Sequence, residues 1–216
     1  TQDKLIALKN AKVGRISINP QTFNDDVLNT IGRRHTSHQT VEAFELAKKC
    51  GFDNINMDLI AGLPGDTFSS FKNSVDTAVF LGASSITVHT LAMKSSAYLV
   101  TSENKYDLSD KLLTSDMVEY SNEKLKQNGY YPYYMYRQSK SVGNLENVGW
   151  CKDNKDCLYN VYMMDETHSV FGVTRLKNQD TGKIERIYNY KYPYEYIDRF
   201  DEILKRKDLI KEFYIK

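Results

Sequence analysis

The sequence has little net charge, little cysteine and no long apolar run, and each shortage removes a class of function. Its 216 residues carry 29 Lys and Arg against 28 Asp and Glu, a formal charge of +1. Bulk electrostatic attraction to nucleic acid or to an anionic membrane surface is thereby excluded. No stretch of roughly eighteen apolar residues is present, so no transmembrane helix is expected. The polar opening Thr1-Gln2-Asp3-Lys4 is not a signal peptide. A cytoplasmic protein with no nucleic-acid or membrane partner is the expectation.

The 3 cysteines, Cys50, Cys151 and Cys157, are odd in number and contain no close knuckle-type pair. A secreted disulfide framework is excluded, and free thiols suit a reducing compartment. Cys50 falls on the apolar stripe of an expected helix and reads as a small core hydrophobe. Cys151 and Cys157 flank the run Lys-Asp-Asn-Lys-Asp, with no third or fourth ligand nearby. No metal site is assigned to them.

What is present is an alternation of strand-like and helix-like segments. Gln2 to Lys12, with Leu5, Ile6 and Leu8, reads as a short helix covering a sheet. A strand follows, with Ile16, Ile18 and Pro20 on one parity and Ser17, Asn19 and Gln21 on the other. It should end at Asn19-Pro20, because proline cannot donate to the ladder, leaving Gln21 at the carboxyl end. A short helical turn then precedes the pair Arg33-Arg34. Thr36-Ser37-His38-Gln39 has the form of a capping box, and Gly51 ends the helix it opens. The second strand puts Ile55, Met57 and Leu59 on one parity and Asn54, Asn56 and Asp58 on the other. Asp66 or Thr67 caps the next helix, which Gly82 ends. The third strand, Ser85 to Ala92, opposes Ile86 and Val88 with Thr87 and His89.

After Ala92 the pattern changes. Tyr98 to Asp107 reads as loop, Leu108 to Asn128 as helix, and the tyrosine-rich Tyr130 to Arg137 as an edge or mixed strand. Gln138 to Cys157 reads as loop. The tail offers a strand-like Ser169 to Thr174, a turn at Asp180-Thr181-Gly182-Lys183 between strand-like segments, and a final amphipathic helix from Tyr194. There is no internal repeat beyond the strand–helix alternation and no low-complexity linker.

Strands and helices alternating at this spacing define βαβ units and a parallel sheet. An open doubly wound sheet is apolar on both strand parities, since helices cover both faces. Here one parity is consistently polar. The expectation is therefore an α/β fold, a partial parallel βα barrel of the TIM-like kind with helices outside and a polar, ligand-bearing interior. Residues 1–129 would form the barrel portion and residues 130–216 an α+β extension. In such barrels functional groups gather at the carboxyl ends of the strands, which picks out Gln21, Asp58, the stretch from His89 to Ala92, and Arg33. An aspartate beside Asn and Gln accepts from ribose hydroxyls or an amine, and an arginine clamps a carboxylate. The plainer alternative is that Asp58 caps the next turn and Arg33 pairs with a surface acid.

Arg-Ile-Ser-Ile-Asn-Pro-Gln-Thr-Phe-Asn-Asp at 15–25, Ile-Gly-Arg-Arg-His at 31–35, the Gly-Phe-Asp-Asn-Ile-Asn-Met-Asp-Leu-Ile-Ala-Gly-Leu-Pro-Gly segment at 51–65 and the strand into Leu91-Ala92 together resemble the second half of a radical S-adenosylmethionine enzyme. The likeness is to the oxygen-independent coproporphyrinogen III oxidase (coproporphyrinogen dehydrogenase) family, in its clostridial and bacillar branch. The loop Asn144-Leu145-Glu146-Asn147-Val148-Gly149 resembles that branch too.

The resemblance implies that Gln21, Arg33 and Asp58 contact S-adenosylmethionine and that the Ala92 backbone does so. It implies a 4Fe-4S cluster, an electron donor for it, and conversion of porphyrinogen propionates to vinyl groups in anaerobic haem biosynthesis. The family's Cys-x3-Cys-x2-Cys motif is missing, so this chain resembles a carboxyl-terminal portion that is inactive alone and needs an amino-terminal half. The Gly/Ala-rich turn that the family places after Gly172 is shortened or absent. Arg34 and Arg137, with Lys140 and Arg175, are candidates for the substrate's carboxylates, against a reading as solvated surface charge; no catalytic residue is assigned. The tyrosines read as core and edge packing, with stacking on a flat macrocycle as the alternative. Two other functions remain open, a haem-trafficking chaperone on the same scaffold and a non-catalytic structural domain.

Overall fold

The computed structural model describes residues 1–92, 111–138, 141–165, 168–169, 175–178 and 180–215. The first of two compact units, Thr1–Asp156, opens with α1 (Gln2–Asn10), β1 (Ile16–Ser17), α2 (Asp25–Thr30) and α3 (Ser37–Lys49). It continues with β2 (Ile55–Ala61), α4 (Phe68–Leu81), β3 (Ser85–Thr90), α5 (Lys111–Gln127), β4 (Tyr131–Tyr136) and β5 (Asn147–Cys151).

Local chemistry sets the boundaries. Thr36 accepts from the Gln39 N–H while the Gln39 side chain accepts from the Thr36 N–H, the reciprocal capping box expected at the start of α3. Thr67, rather than Asp66, accepts from Ser70 N and caps α4. Gly82 ends α4 in the left-handed region, at φ 77°, where a side chain would be strained.

The sheet order is β1-β2-β3-β5-β4, with β1, β2 and β3 parallel and β5 antiparallel to both of its neighbours. β4 is the edge strand that the tyrosine run suggested. It carries Pro132 and a bulge between Pro132 and Tyr134, both tolerated where one side of a strand has no partner. The run from Gln138 to Cys157 is not loop throughout: Asn147–Cys151 is β5, inserted between β3 and β4. Its Asn and Gly made it read as loop, but strand partners on both sides satisfy its backbone, and Val148 and Trp150 pair with Val88 and Ile86 of β3.

The expected division after residue 129 falls inside this unit, because β4 pairs with β5 and β5 with β3.

One face of the sheet is apolar. Ile55, Met57, Leu59, Ile86, Val88 and Trp150 pack there against Phe44 of α3, Phe71, Val75 and Ala78 of α4, and Met117 and Leu125 of α5. The opposite face carries the polar parity. Cys50 borders this core half-buried, and Cys151 is fully buried in β5; both are free thiols, as is Cys157. Burial pushes the Cys151 thiol up, which favours the uncharged form.

The second unit, Cys157–Lys216, contains α6 (Leu158–Asp165), β6 (Arg175–Lys177), β7 (Ile184–Arg186), α7 (Pro193–Asp198) and α8 (Phe200–Ile215). β6 and β7 form a hairpin around the expected turn, where Asn178 Oδ1 accepts from Asp180 N and Thr181 N. The final helix is two, α7 and α8, broken at Arg199. The loop expected at Tyr98 to Asp107, the start of the helix at Leu108, most of the strand expected at Ser169 to Thr174, and the turn after Gly172 lie outside the described residues. So do Lys140 and the side chain of Arg175. Among the described residues no helix is long and apolar enough to cross a membrane.

Candidate functional site

The polar face is laid out in rows by the strand register. Ser17 of β1, Asn56 of β2, Ser85 of β3, Cys151 of β5 and Tyr131 of β4 stand side by side in one row. Asp58, Thr87, Gly149 and Tyr134 form the next. His89 sits opposite Ile60 beyond it, and Tyr136 opposite Asn147.

These rows are bonded into a network. Asn56 is the hub: its Nδ2 donates to Asp58 Oδ1 at 2.7 Å and to Ser17 Oγ at 3.4 Å. Its Oδ1 accepts from Ser85 Oγ at 3.1 Å and Thr87 Oγ1 at 3.4 Å. Arg15 donates to Ser85 Oγ at 3.0 Å. Buried Asn147 Oδ1 accepts from the Thr90 N–H at 2.7 Å and the Thr90 hydroxyl at 3.0 Å, fixing the end of β3.

Asp58 is the acid of this face, and its side chain keeps 24% of its surface exposed. Burial by itself would raise its carboxyl, but the approach of His89 and the hydrogen bond from Asn56 leave it below the ordinary carboxylate value. It therefore stays ionised and acceptor-only at neutral pH. It does not cap the following turn.

Gln21 lies beside it through the backbone. The Gln21 N–H donates to the Asp58 carbonyl at 3.0 Å, and Ile60 N donates back to the Gln21 carbonyl at 2.9 Å. Gln21 is buried and left-handed, at φ 68°. A non-glycine residue held so costs about 1–3 kcal/mol, a strain common at ligand sites. The surrounding loop enforces it: Ser74 of α4 accepts from Phe23 N and bonds Thr22 Oγ1, while Asn24 caps α2 and donates to Ser70.

Arg33 and Arg34 are exposed. The Arg33 N–H donates to Leu28 O, and His35 Nε2 lies 3.2 Å from the Pro20 carbonyl, so both arginines are tethered at the carboxyl end of β1. The α2 residue Val27 packs with Leu63 and Leu91, the loops that follow β2 and β3. Ala92 is at that same end, where Leu91 N donates to Ala61 O and Ala92 bridges Ser141.

The structure thus joins the backbones of Gln21 and Asp58, with Gln21 in register with Leu59, and sets Arg33, Arg34 and Ala92 at the same end of the sheet. Arg137 lies apart from this group. It pairs with Glu146 at 3.1 Å and lines a groove on the apolar side, with Val118 of α5, Met135 and Trp150.

Sequence reasoning missed Tyr134, Tyr136 and Asn147 as members of the polar face. Alternation within the tyrosine run was the available signal, but the bulge after Pro132 shifts its phase. Among the described residues no group of three or more His, Cys, Asp or Glu side chains is placed to hold a metal ion. Cys50 ends α3, Cys151 lies in β5, and Cys157 precedes α6 in the second unit. The polar face, with a carboxylate and hydroxyl-bearing neighbours, does fit a nucleoside.

The chain matches the model of the radical SAM superfamily over residues 1–78, the part that holds the parallel strands β1 and β2. It is similar to the oxygen-independent coproporphyrinogen-III oxidase-like protein HemZ of Bacillus subtilis, 38% identical over 212 residues, covering 96% of this chain and 42% of that protein. The heme chaperone HemW of Bacillus subtilis is 34% identical over 141 residues, covering 64% of this chain and 37% of that protein. Among solved structures, coproporphyrinogen III oxidase (HemN) from Escherichia coli shares the fold at a TM-score of 0.61 and 19% identity, covering 94% of this chain and 46% of that one. The chain spans less than half the length of these relatives.

Proposed function

We propose that this chain supplies part of the S-adenosylmethionine site of a radical enzyme that decarboxylates coproporphyrinogen propionates to vinyl groups. The observation that carries the reading is the ionised, half-buried Asp58, oriented by Asn56 and flanked by the strained Gln21 backbone. In this reading Asp58 accepts the ribose hydroxyls, Arg33 clamps the carboxylate of the methionine moiety, and the Ala92 backbone borders the nucleoside. The cofactor and a 4Fe-4S cluster supply one-electron, hydrogen-abstracting chemistry when bound. The residues described here bind and orient, and the cluster's ligands are to be sought in an amino-terminal half. A porphyrinogen substrate and an electron donor complete the set of partners. Arg34 is the cation best sited for a substrate carboxylate, since Arg137 is already paired.

The second reading is a haem-trafficking chaperone, favoured by the 34% identity to HemW. The oxidase-like reading is preferred because the similarity to HemZ runs over 212 residues against 141.

The test for the site is Asp58→Ala, with S-adenosylmethionine binding measured by calorimetry. Lost binding with an unchanged circular dichroism spectrum is expected; unchanged affinity refutes the assignment. Anaerobic conversion of coproporphyrinogen by the complete, cluster-reconstituted protein separates the two readings. Conversion supports the oxidase, and haem binding without conversion supports the chaperone.

A further inference from the structure

The Asp58 carboxylate is the end of a chain of contacts that crosses three strands. Asn56 Nδ2 and His89 Nε2 both approach its Oδ1, at 2.7 Å and 3.7 Å. The other imidazole nitrogen of His89, Nδ1, lies 3.1 Å from the Tyr136 hydroxyl. The His89 and Tyr136 rings meet edge to face at 6.2 Å, and Tyr136 stacks on Tyr134 at 6.1 Å with 7° between the planes. Asp58 and His89 keep 24% and 23% of their side-chain surface exposed, so a ligand reaches both.

We propose that His89, its tautomer set by Tyr136, is a positioning residue that aims the Asp58 carboxylate at the hydroxyls of a bound nucleoside, and that protonation of His89 weakens nucleoside binding. This rests on the nucleoside reading of Asp58. A neutral imidazole has one donor and one acceptor nitrogen. With the Tyr136 hydroxyl donating to Nδ1, the ring proton is confined to Nε2, which faces Asp58. Oδ1 is then approached from two directions and the carboxylate is oriented. A carboxylate has about four acceptor positions, so capacity remains for ligand hydroxyls.

Adding a proton reverses the Tyr136 contact, because Nδ1 must now donate to the phenol oxygen. It also gives the ring a positive charge beside Oδ1. The imidazolium draws the carboxylate toward itself and competes with ribose hydroxyls for it. Among the described residues, the other titratable groups facing His89 are Asp58 from β2 and Tyr134 and Tyr136 from β4. β5 contributes the uncharged Asn147, and Arg15 is engaged with Ser85, four residues back along β3. Burial pushes the Tyr134 phenol up to about 12 and raises that of Tyr136, so both stay neutral across the imidazole range.

The probe is S-adenosylhomocysteine, which keeps the ribose, titrated calorimetrically from about pH 5 to 8, the range in which imidazoles change charge. Wild type is expected to bind several-fold more weakly at the acid end. His89→Gln, which keeps an uncharged N–H facing Asp58, is expected to hold its alkaline affinity within about threefold and to lose the pH dependence. Tyr136→Phe keeps the stacked ring and is expected to lose about three- to tenfold at the alkaline end, the worth of one hydrogen bond. Nitrogen NMR of the free protein gives a readout without ligand: an Nε2–H tautomer for His89 in wild type, and a tautomer mixture in Tyr136→Phe. Identical pH profiles for wild type and His89→Gln, or an unaltered tautomer in Tyr136→Phe, overturn the proposal. No binding by wild type at any pH overturns the nucleoside reading, and this proposal with it.

Discussion

Replacing Gly149 by alanine tests how the polar face is assembled. A Cβ built on Gly149 would lie 1.8 Å from Cε1, 2.3 Å from Cδ1 and 2.9 Å from Cζ of Tyr134. No small relaxation relieves three such contacts with one rigid ring. Either Tyr134 rotates out of the face or β4 separates from β5. Forcing extra volume into a packed site costs about 1–3 kcal/mol. Displacing Tyr134 also forfeits its stack on Tyr136, worth about 0.5–1.5 kcal/mol. The expected loss is therefore about 2–4 kcal/mol, a fall of roughly 4–16 °C in the melting temperature of a unit this size. Differential scanning calorimetry measures it, and a double-mutant cycle with Tyr134→Ala isolates the cause. Removing the ring removes the three closest contacts, so Gly149→Ala should cost far less in the Tyr134→Ala background, under about 0.5 kcal/mol. A melting temperature within about 1 °C of wild type, or strictly additive costs in the cycle, would refute the close approach.

Two other perturbations have directions set by the structure. Thr36→Ala removes one arm of the capping box of α3 and should cost about 1 kcal/mol by chemical denaturation, with Thr36→Ser restoring most of it; equal stability of all three would show that the cap contributes nothing. Asp76 of α4 is bonded to Lys72 at 2.6 Å, Tyr120 at 2.7 Å and Lys124 at 2.9 Å. Burial alone would raise its carboxyl, but these three partners outweigh it and bring it from 3.8 down to about 2. Because the folded value is the depressed one, this stabilisation is present above about pH 4 and is lost as the pH falls toward about 2. Asp76→Asn should flatten the acid side of the denaturation-midpoint profile over that window, and an unchanged profile would contradict the assignment.

Much of the first unit was legible in the chain itself. Thr36 with Gln39, Thr67, and Gly82 carry their boundary signals within a few residues, so α3 and α4 follow from local hydrogen bonding and backbone freedom. The alternation of Ser17, Asn56 and Asp58, and Thr87 and His89 against Ile16, Met57 and Val88 announced a sheet with one polar face, because strand geometry sends successive side chains to opposite sides. β1 is shorter than that pattern suggested, Ile16–Ser17, and Gln21 lies past its end in an isolated bridge with Leu59.

Tertiary structure alone decided the rest. Asn147–Cys151 is polar and glycine-bearing, and by local preference it is loop; it is a strand because β3 and β4 pair with it on both sides. Gly149 acquires its meaning only when Tyr134 lies across it. Asp58, His89 and Tyr136 are up to 78 positions apart, the span from 58 to 136, and no spacing rule links them. Local signals act over a few residues, whereas strand order and register join groups far apart in the chain. The polar parity of the strands was thus readable from the sequence, and the side chains that orient the carboxylate were not.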